Sequence, residues 1–188
     1  MFLKRILPIG LIILTVIFGF WRYNNPPCVE NPDYTYQNGW QGENAFEIKL
    51  ERVPEKCIFM PALGGANYIF SARSGSSGNW QTVFTTHHDD LIDISGDNVR
   101  VLNEKVAYTF VIQKFASTTD SGKTWKVWSP EKDLIDWKRS GDEYPNWALI
   151  EQVEIKEDGS GKIKLNRDDK EGLIKELRTK DFGQTWNP

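Results

Sequence analysis

"TTDSGKTW", Thr118 to Trp125, returns later in the chain as "TKDFGQTW", Thr179 to Trp186, with Thr, Asp, Gly, Thr and Trp kept in place. Each residue type has a local job. Asp120 and Asp181 can accept hydrogen bonds from backbone N–H groups further along and close an Asx-type turn. Gly122 and Gly183 supply the positive φ that a residue with a Cβ resists. Thr124 and Thr185 open a returning strand, where β-branched side chains fit. Trp125 and Trp186 then lay a large apolar ring on a core, a burial that contributes ~1.5–3 kcal/mol or more. With Thr118 and Thr179 at its start, the octapeptide is a self-contained recipe for a hairpin. Its aspartates are therefore read as turn formers and not as catalytic acids.

Outward from the octapeptides the chain is a series of short extended runs. Residues 45–53, 66–72, 80–86, 106–115, 148–155 and 162–166 combine β-branched and aromatic residues with period-two alternation, and turn residues separate them. Residues 56–60, "KCIFM", form a compact apolar run, and "LGGAN" (63–67) reads as a turn. "LIDIS" (91–95) and "NVRVLN" (98–103) flank "GD", which predicts a hairpin. A degenerate third copy, the heptapeptide "SGSSGNW" (74–80), keeps Ser74, Gly78 and Trp80 between two such runs. Helical periodicity is weak: 130–141 predicts one or two turns, and 168–180 predicts a strand leading into the second octapeptide. Strand runs at this spacing define an all-β domain.

The chain opens with "MFLKRILPIGLIILTVIFGFW", in which Lys4 and Arg5 precede an uncharged run from Ile6 to Trp21. Such a run predicts an uncleaved transmembrane signal anchor over 1–22, with the basic end retained inside and the remainder exported. No small-residue cleavage site follows it. Residues 23–43, rich in Asn, Pro and Gly, read as a linker, and 44–188 as the exported β domain. The expected location is a bacterial inner membrane, crossed once, with the C-terminal domain in the periplasm. Cys28 and Cys57 both fall on that oxidising side, which favours a disulfide over two buried thiols. Of the 23 Lys and Arg, three (Lys4, Arg5 and Arg22) precede residue 23, whereas all 26 Asp and Glu follow it, so the exported part carries a net charge of −6. That balance argues against nucleic acid as a partner and is compatible with a basic protein.

No nucleophile elbow, phosphate-binding glycine loop or CxxC pair is present. "TTHHDDLID" (85–93) gathers His87, His88, Asp89 and Asp90. Adjacent residues on a strand point to opposite faces, so the two imidazoles do not readily share one ion, and an exposed polar loop is the plainer reading. Trp128, Trp137 and Trp147 form a candidate aromatic patch, with core packing as the alternative.

Both octapeptides resemble the Asp-box of sialidases and related BNR-type repeat proteins. The resemblance implies hairpins of the kind found on β-propeller blades. Trp80, Trp125 and Trp186 are spaced near blade length, but propellers usually need four to eight blades and this chain supplies three at most. The expectation is a small antiparallel sheet, a sandwich or a partial propeller. The arginine cluster and Tyr–Glu pair of a sialidase are not evident. The architecture, with "DSGKTW" in particular, is also similar to that of periplasmic immunity proteins that neutralise type VI secretion lipases (Tli-like proteins), in which "DGGKTW" hairpins recur. That resemblance implies a protein that binds a toxic effector by occlusion, with no catalysis, metal or cofactor of its own. Loop position makes His87, Asp89, Asp90, Trp128 and Asp142 the candidate contacts. The alternatives are an anchored assembly or chaperone factor for a membrane complex, and a glycan-binding or glycan-cleaving protein.

Overall fold

The computed structural model describes residues 28–29, 31–57, 65–75, 77–130, 148–167 and 174–187. The expected transmembrane segment therefore lies outside the described residues, and among those described no helix is long and apolar enough to cross a membrane. Trp137, Asp142 and Trp147 also lie outside them.

The described chain is all-β, in order β1 (Cys28–Val29), β2 (Tyr34–Trp40), β3 (Phe46–Pro54), β4 (Lys56–Cys57), β5 (Ala66–Ser74), β6 (Gln81–His88), β7 (Val99–Val101), β8 (Ala107–Val111), β9 (Lys114–Thr118), β10 (Lys126–Trp128), β11 (Ala148–Ile155), β12 (Gly161–Arg167) and β13 (Ile174–Thr179). All pairings are antiparallel, and in each larger sheet every strand pairs with that sheet's next strand along the chain, β3 with β5 across the short β4 in the first. The first sheet has the order β2-β3-β5-β6, the second β7-β8-β9-β10 and the third β11-β12-β13. A bridge between Arg178 and Asn187 adds the beginning of a fourth strand to the third sheet. The degenerate hairpin and the two octapeptides thus occupy the same place in each sheet, the turn between third and fourth strands.

Alternation explains how the sheets stack. In β3, Phe46, Ile48 and Leu50 are fully buried and the residues between them are not. The second sheet is buried on both sides, as the unbroken burial of β8 shows. Ala107, Val111 and Ala116 join the cluster of the first sheet, with Phe46, Tyr68 and Phe70. Tyr108, Phe110 and Phe115 point the other way into a second cluster with Ile163, Leu165 and Leu177 of the third sheet. The result is three layers with two cores between them. Each octapeptide tryptophan crosses a layer boundary. Trp125 meets Phe70 of the first sheet edge-to-face at 4.9 Å, and Trp186 meets Phe115 of the second at 5.2 Å.

Three sequence expectations are revised. Residues 34–40, assigned to the linker, form β2, which pairs with β3 along its whole length. The run 106–115 is not one strand. It turns at Ile112–Gln113, where Ile112 adopts φ of 55°. Residues 91–95 do not pair as a strand. Both backbone groups of Ile92 are taken by the Tyr68 hydroxyl, with N–H donating at 2.6 Å and C=O accepting at 2.8 Å. Ser95 and Asn98 then cap each other across a short 3-10 turn, Gly96–Asn98, so β7 pairs with β8 instead.

The backbone places Cys28 directly opposite Cys57 in the β1–β4 pair. Facing residues of an antiparallel pair lie about 4.5–5.5 Å apart at Cα, within the range a disulfide spans. The unreduced protein is accordingly expected to take up no alkylating reagent under denaturing conditions, and the reduced protein one adduct per cysteine, as read by intact mass. Phe115 is fully buried at the second layer boundary. Phe115→Ala should therefore cost about 3–5 kcal/mol in urea unfolding.

Candidate functional site

The two octapeptides have the same internal wiring. In the first, the Thr118 hydroxyl donates to Asp120 Oδ1 at 2.8 Å and accepts from Gly122 N–H at 3.1 Å. Asp120 Oδ1 also accepts from Thr124 N–H at 2.9 Å, and Oδ2 accepts from the Thr124 hydroxyl at 2.6 Å. In the second, Thr179, Asp181, Gly183 and Thr185 repeat each of these bonds within 0.2 Å. The turn passes through two left-handed residues, Ser121 and Gly122 or Phe182 and Gly183. At Gly183 a side chain is excluded twice, since a Cβ would also lie 2.5 Å from the Phe115 ring. Burial alone would push the Asp120 carboxyl up, but bonds from Thr124 and Thr118 hold it below the usual carboxylate range. Asp181 is held down in the same way by Thr185 and Thr179, against the same opposing effect of burial. Both carboxylates are engaged by their own turns, which is the role the sequence assigned to them.

Of the described residues singled out for partner contact, His87, Asp89 and Asp90 lie together at the end of β6, and Trp128 lies apart from them in the second sheet. His87 and His88 end β6 on opposite faces. His87 is exposed, with Glu55 at 3.4 Å and Asp89 at 3.7 Å. His88 is buried, and its Nδ1 accepts from Asp90 N–H at 3.0 Å. Asp89 and Asp90 are exposed just after the strand. Trp128 is half-buried and packs on Trp186 with ring centres 6.1 Å apart, inside the second layer boundary. Trp125 packs on the opposite side of the same sheet. Among the described residues, no group of three or more His, Cys, Asp or Glu is arranged to hold a metal ion.

Two arrangements had no sequence signal. Arg52, nearly buried, reaches Asp33 through Nε at 3.0 Å and Nη2 at 3.2 Å, and Asp93 through Nη1 at 2.9 Å. The bond to Asp33 and, after it, that to Asp93 raise the guanidinium's pKa against the cost of burial. The ring of Tyr34 lies 5.2 Å away as a cation–π partner. With Tyr68, this node fastens residues 91–95 across the inner face of the first sheet.

The fastened segment forms one wall of a groove of about 460 Å³, and β11 forms the other. Phe110, Val111, Ile112 and Ile150, all buried, make its floor. Its lining carries four carboxylates, Asp93, Asp97, Glu151 and Glu154, and one guanidinium, Arg100, which pairs with Asp97. The groove runs along the first strands of the second and third sheets, the side on which β2 also meets β7. Against family models, curated proteins and solved structures the chain shows no match.

The depressed aspartates set the acid limit of the fold. A carboxyl whose folded pKa lies below its unfolded value of about 3.9 stabilises fully above that value, and the contribution is lost as pH falls through the folded pKa. Unfolding free energy should therefore decline below about pH 4, and Asp120→Asn with Asp181→Asn should make that decline shallower in acid titrations followed by tryptophan fluorescence. At neutral pH, Asp120→Ala leaves backbone and hydroxyl donors of the turn unmatched and should cost about 1–3 kcal/mol.

Proposed function

We propose that this chain is a membrane-anchored periplasmic binding protein, and specifically an immunity protein that neutralises a secreted toxic effector by covering its active site. The groove between the 91–95 segment and β11 carries the reading. Its floor is apolar, and four of the five charged side chains in its lining are carboxylates, a combination suited to a basic protein segment bearing an apolar contact. The octapeptides are read as Asp-box hairpins and the three sheets as blades of a partial propeller, each hairpin joining the third and fourth strands. The uncharged run Ile6–Trp21 is read as the anchor, and Cys28–Cys57 as a bridge that ties the domain close to it. The engagement of Asp120 and Asp181 within their own turns supports a structural role over catalysis for the repeats.

The test is co-expression of the full chain with the toxin encoded beside it, followed by purification through the toxin. Retention of the wild-type chain, and at least a roughly tenfold loss of affinity for Glu151→Lys with Glu154→Lys, are expected. Equal retention of the double variant would remove the groove from the reading. A deletion strain that withstands attack by sister cells would remove the immunity function itself, and retention on components of a membrane complex would favour the assembly factor.

A further inference from the structure

The groove beside β11 has an edge as well as a floor. Among the described strands β11 pairs with β12 alone, so one side of its backbone is turned to the groove. Lys156 N–H bonds Ser160 C=O across the β11–β12 hairpin. By antiparallel alternation, the backbone groups of Ile155 and Val153 therefore face away from β12. Ile155 meets the Tyr108 hydroxyl there. Further back, Ile150 sends its N–H outward to Ile112 C=O at 2.6 Å. Between these two attachments, the outward N–H and C=O of Val153 have no partner among the described residues. Val153 lines the groove, so a backbone donor and acceptor stand open to it. The space beside them exists because β7 is short. It pairs with residues 107–109 and stops, and the Asn98 side chain donates to Phe110 C=O at 2.9 Å where a longer strand would continue.

The side chains of β11 specify what fits that edge. Its bulge between Ile150 and Gln152 keeps Ile150 and Val153 both in the core and leaves Glu151 and Gln152 both exposed. Glu154 follows on the exposed face. A strand laid along β11 would have one face over Ile150, Val153 and Phe110 and the other beside Glu151 and Glu154. Apolar side chains suit the first face and basic ones the second. The charge survives internal pairing. Asp93 is paired with Arg52, Asp97 with Arg100 and Glu154 with Lys162, but Glu151 has no ion-pair partner among the described residues. With Asp33 counted as the second partner of Arg52, five carboxylates stand against three cations. A second copy of β11 does not suit the edge, because antiparallel self-pairing gathers Glu151 and Glu154 of both copies on one face.

We infer that the partner's segment enters this groove as an added antiparallel strand on β11, alternating basic and apolar residues, with one apolar residue exchanging both backbone bonds with Val153. The inference rests on the binding role proposed above and adds the manner in which the partner is held. Main-chain bonds supply the grip, and the glutamates choose the sequence.

The probe is a fluorescent, end-blocked octapeptide of alternating Lys and Val, titrated against the full chain in mild detergent and followed by anisotropy. Saturable binding with a Kd below about 1 mM is expected. N-methylation of every Val removes the donors that face β11 and should weaken binding by roughly tenfold or more. N-methylation of every Lys, at the same charge, should leave it unchanged. Glu151→Lys, at an exposed position, should cost the Lys–Val peptide roughly tenfold, keep the melting temperature, and confer binding of the corresponding Glu–Val peptide. Failure to saturate by about 1 mM overturns the inference. So do N-methyl isomers that bind alike, since the contact would then be one of charge alone. If the isomers bind alike while the chain still retains the toxin, the strand falls and the immunity reading stands. If the isomers differ while no toxin is retained, the immunity reading falls and the strand site stands.

Discussion

A tryptophan ring seated edge-to-face on a phenylalanine of the sheet before it holds the layers of this protein together. The contact recurs at both internal boundaries, Trp125 on Phe70 and Trp186 on Phe115. An aromatic pair of this kind adds about 0.5–1.5 kcal/mol to the burial of the rings themselves. Its value depends on aim, because the ring must arrive at one height and one angle. The Asp–Thr–Gly wiring of the octapeptide supplies that aim by fixing the turn immediately before the ring. Gly183 shows how close the approach is, since the Phe115 ring occupies the space a Cβ would need.

The second sheet bears the consequence. Because hairpins approach from one side and neighbouring strands from the other, its central strands β8 and β9 are buried on both faces, and even their hydroxyls are internal. Thr109, fully buried, donates to Asn98 C=O at 2.7 Å. The outer sheets keep one charged face each, with Glu47–Arg73 and Lys49–Glu51 on the first and Glu154–Lys162 and Glu176–Arg178 on the third. Surface pairs of this kind contribute little stability. Their effect is to keep those faces soluble and to make any further association selective by charge.

Function, on the reading advanced here, sits along the first strands of the sheets and away from the repeats. The octapeptides use their polar atoms on themselves. The Arg52 node, by contrast, draws Asp33 and Asp93 toward the inner face of the first sheet and holds the 91–95 segment as a wall. A scaffold of repeated hairpins thus leaves an irregular segment free to carry recognition, as loops on rigid frameworks commonly do.

How much of this was legible in advance follows from the range of the interactions involved. The hairpins at 118–125 and 179–186 were readable to the level of individual roles, because every bond that shapes them closes within five residues. The strands β3, β5, β6, β11 and β12 were readable from alternation, which reports burial on one face. What only the tertiary structure decided involves distant partners. β2 looked like linker because its composition is polar and its pairing is supplied by β3. The 91–95 run looked like a strand, but Tyr68, 24 residues away, claims its backbone. Arg52 joins residues 19 and 41 positions distant, and the groove exists only where two sheets meet. Local turn chemistry is written in adjacent residues, whereas the choice among partners far along the chain is made by packing, for which no short stretch of sequence carries the signal.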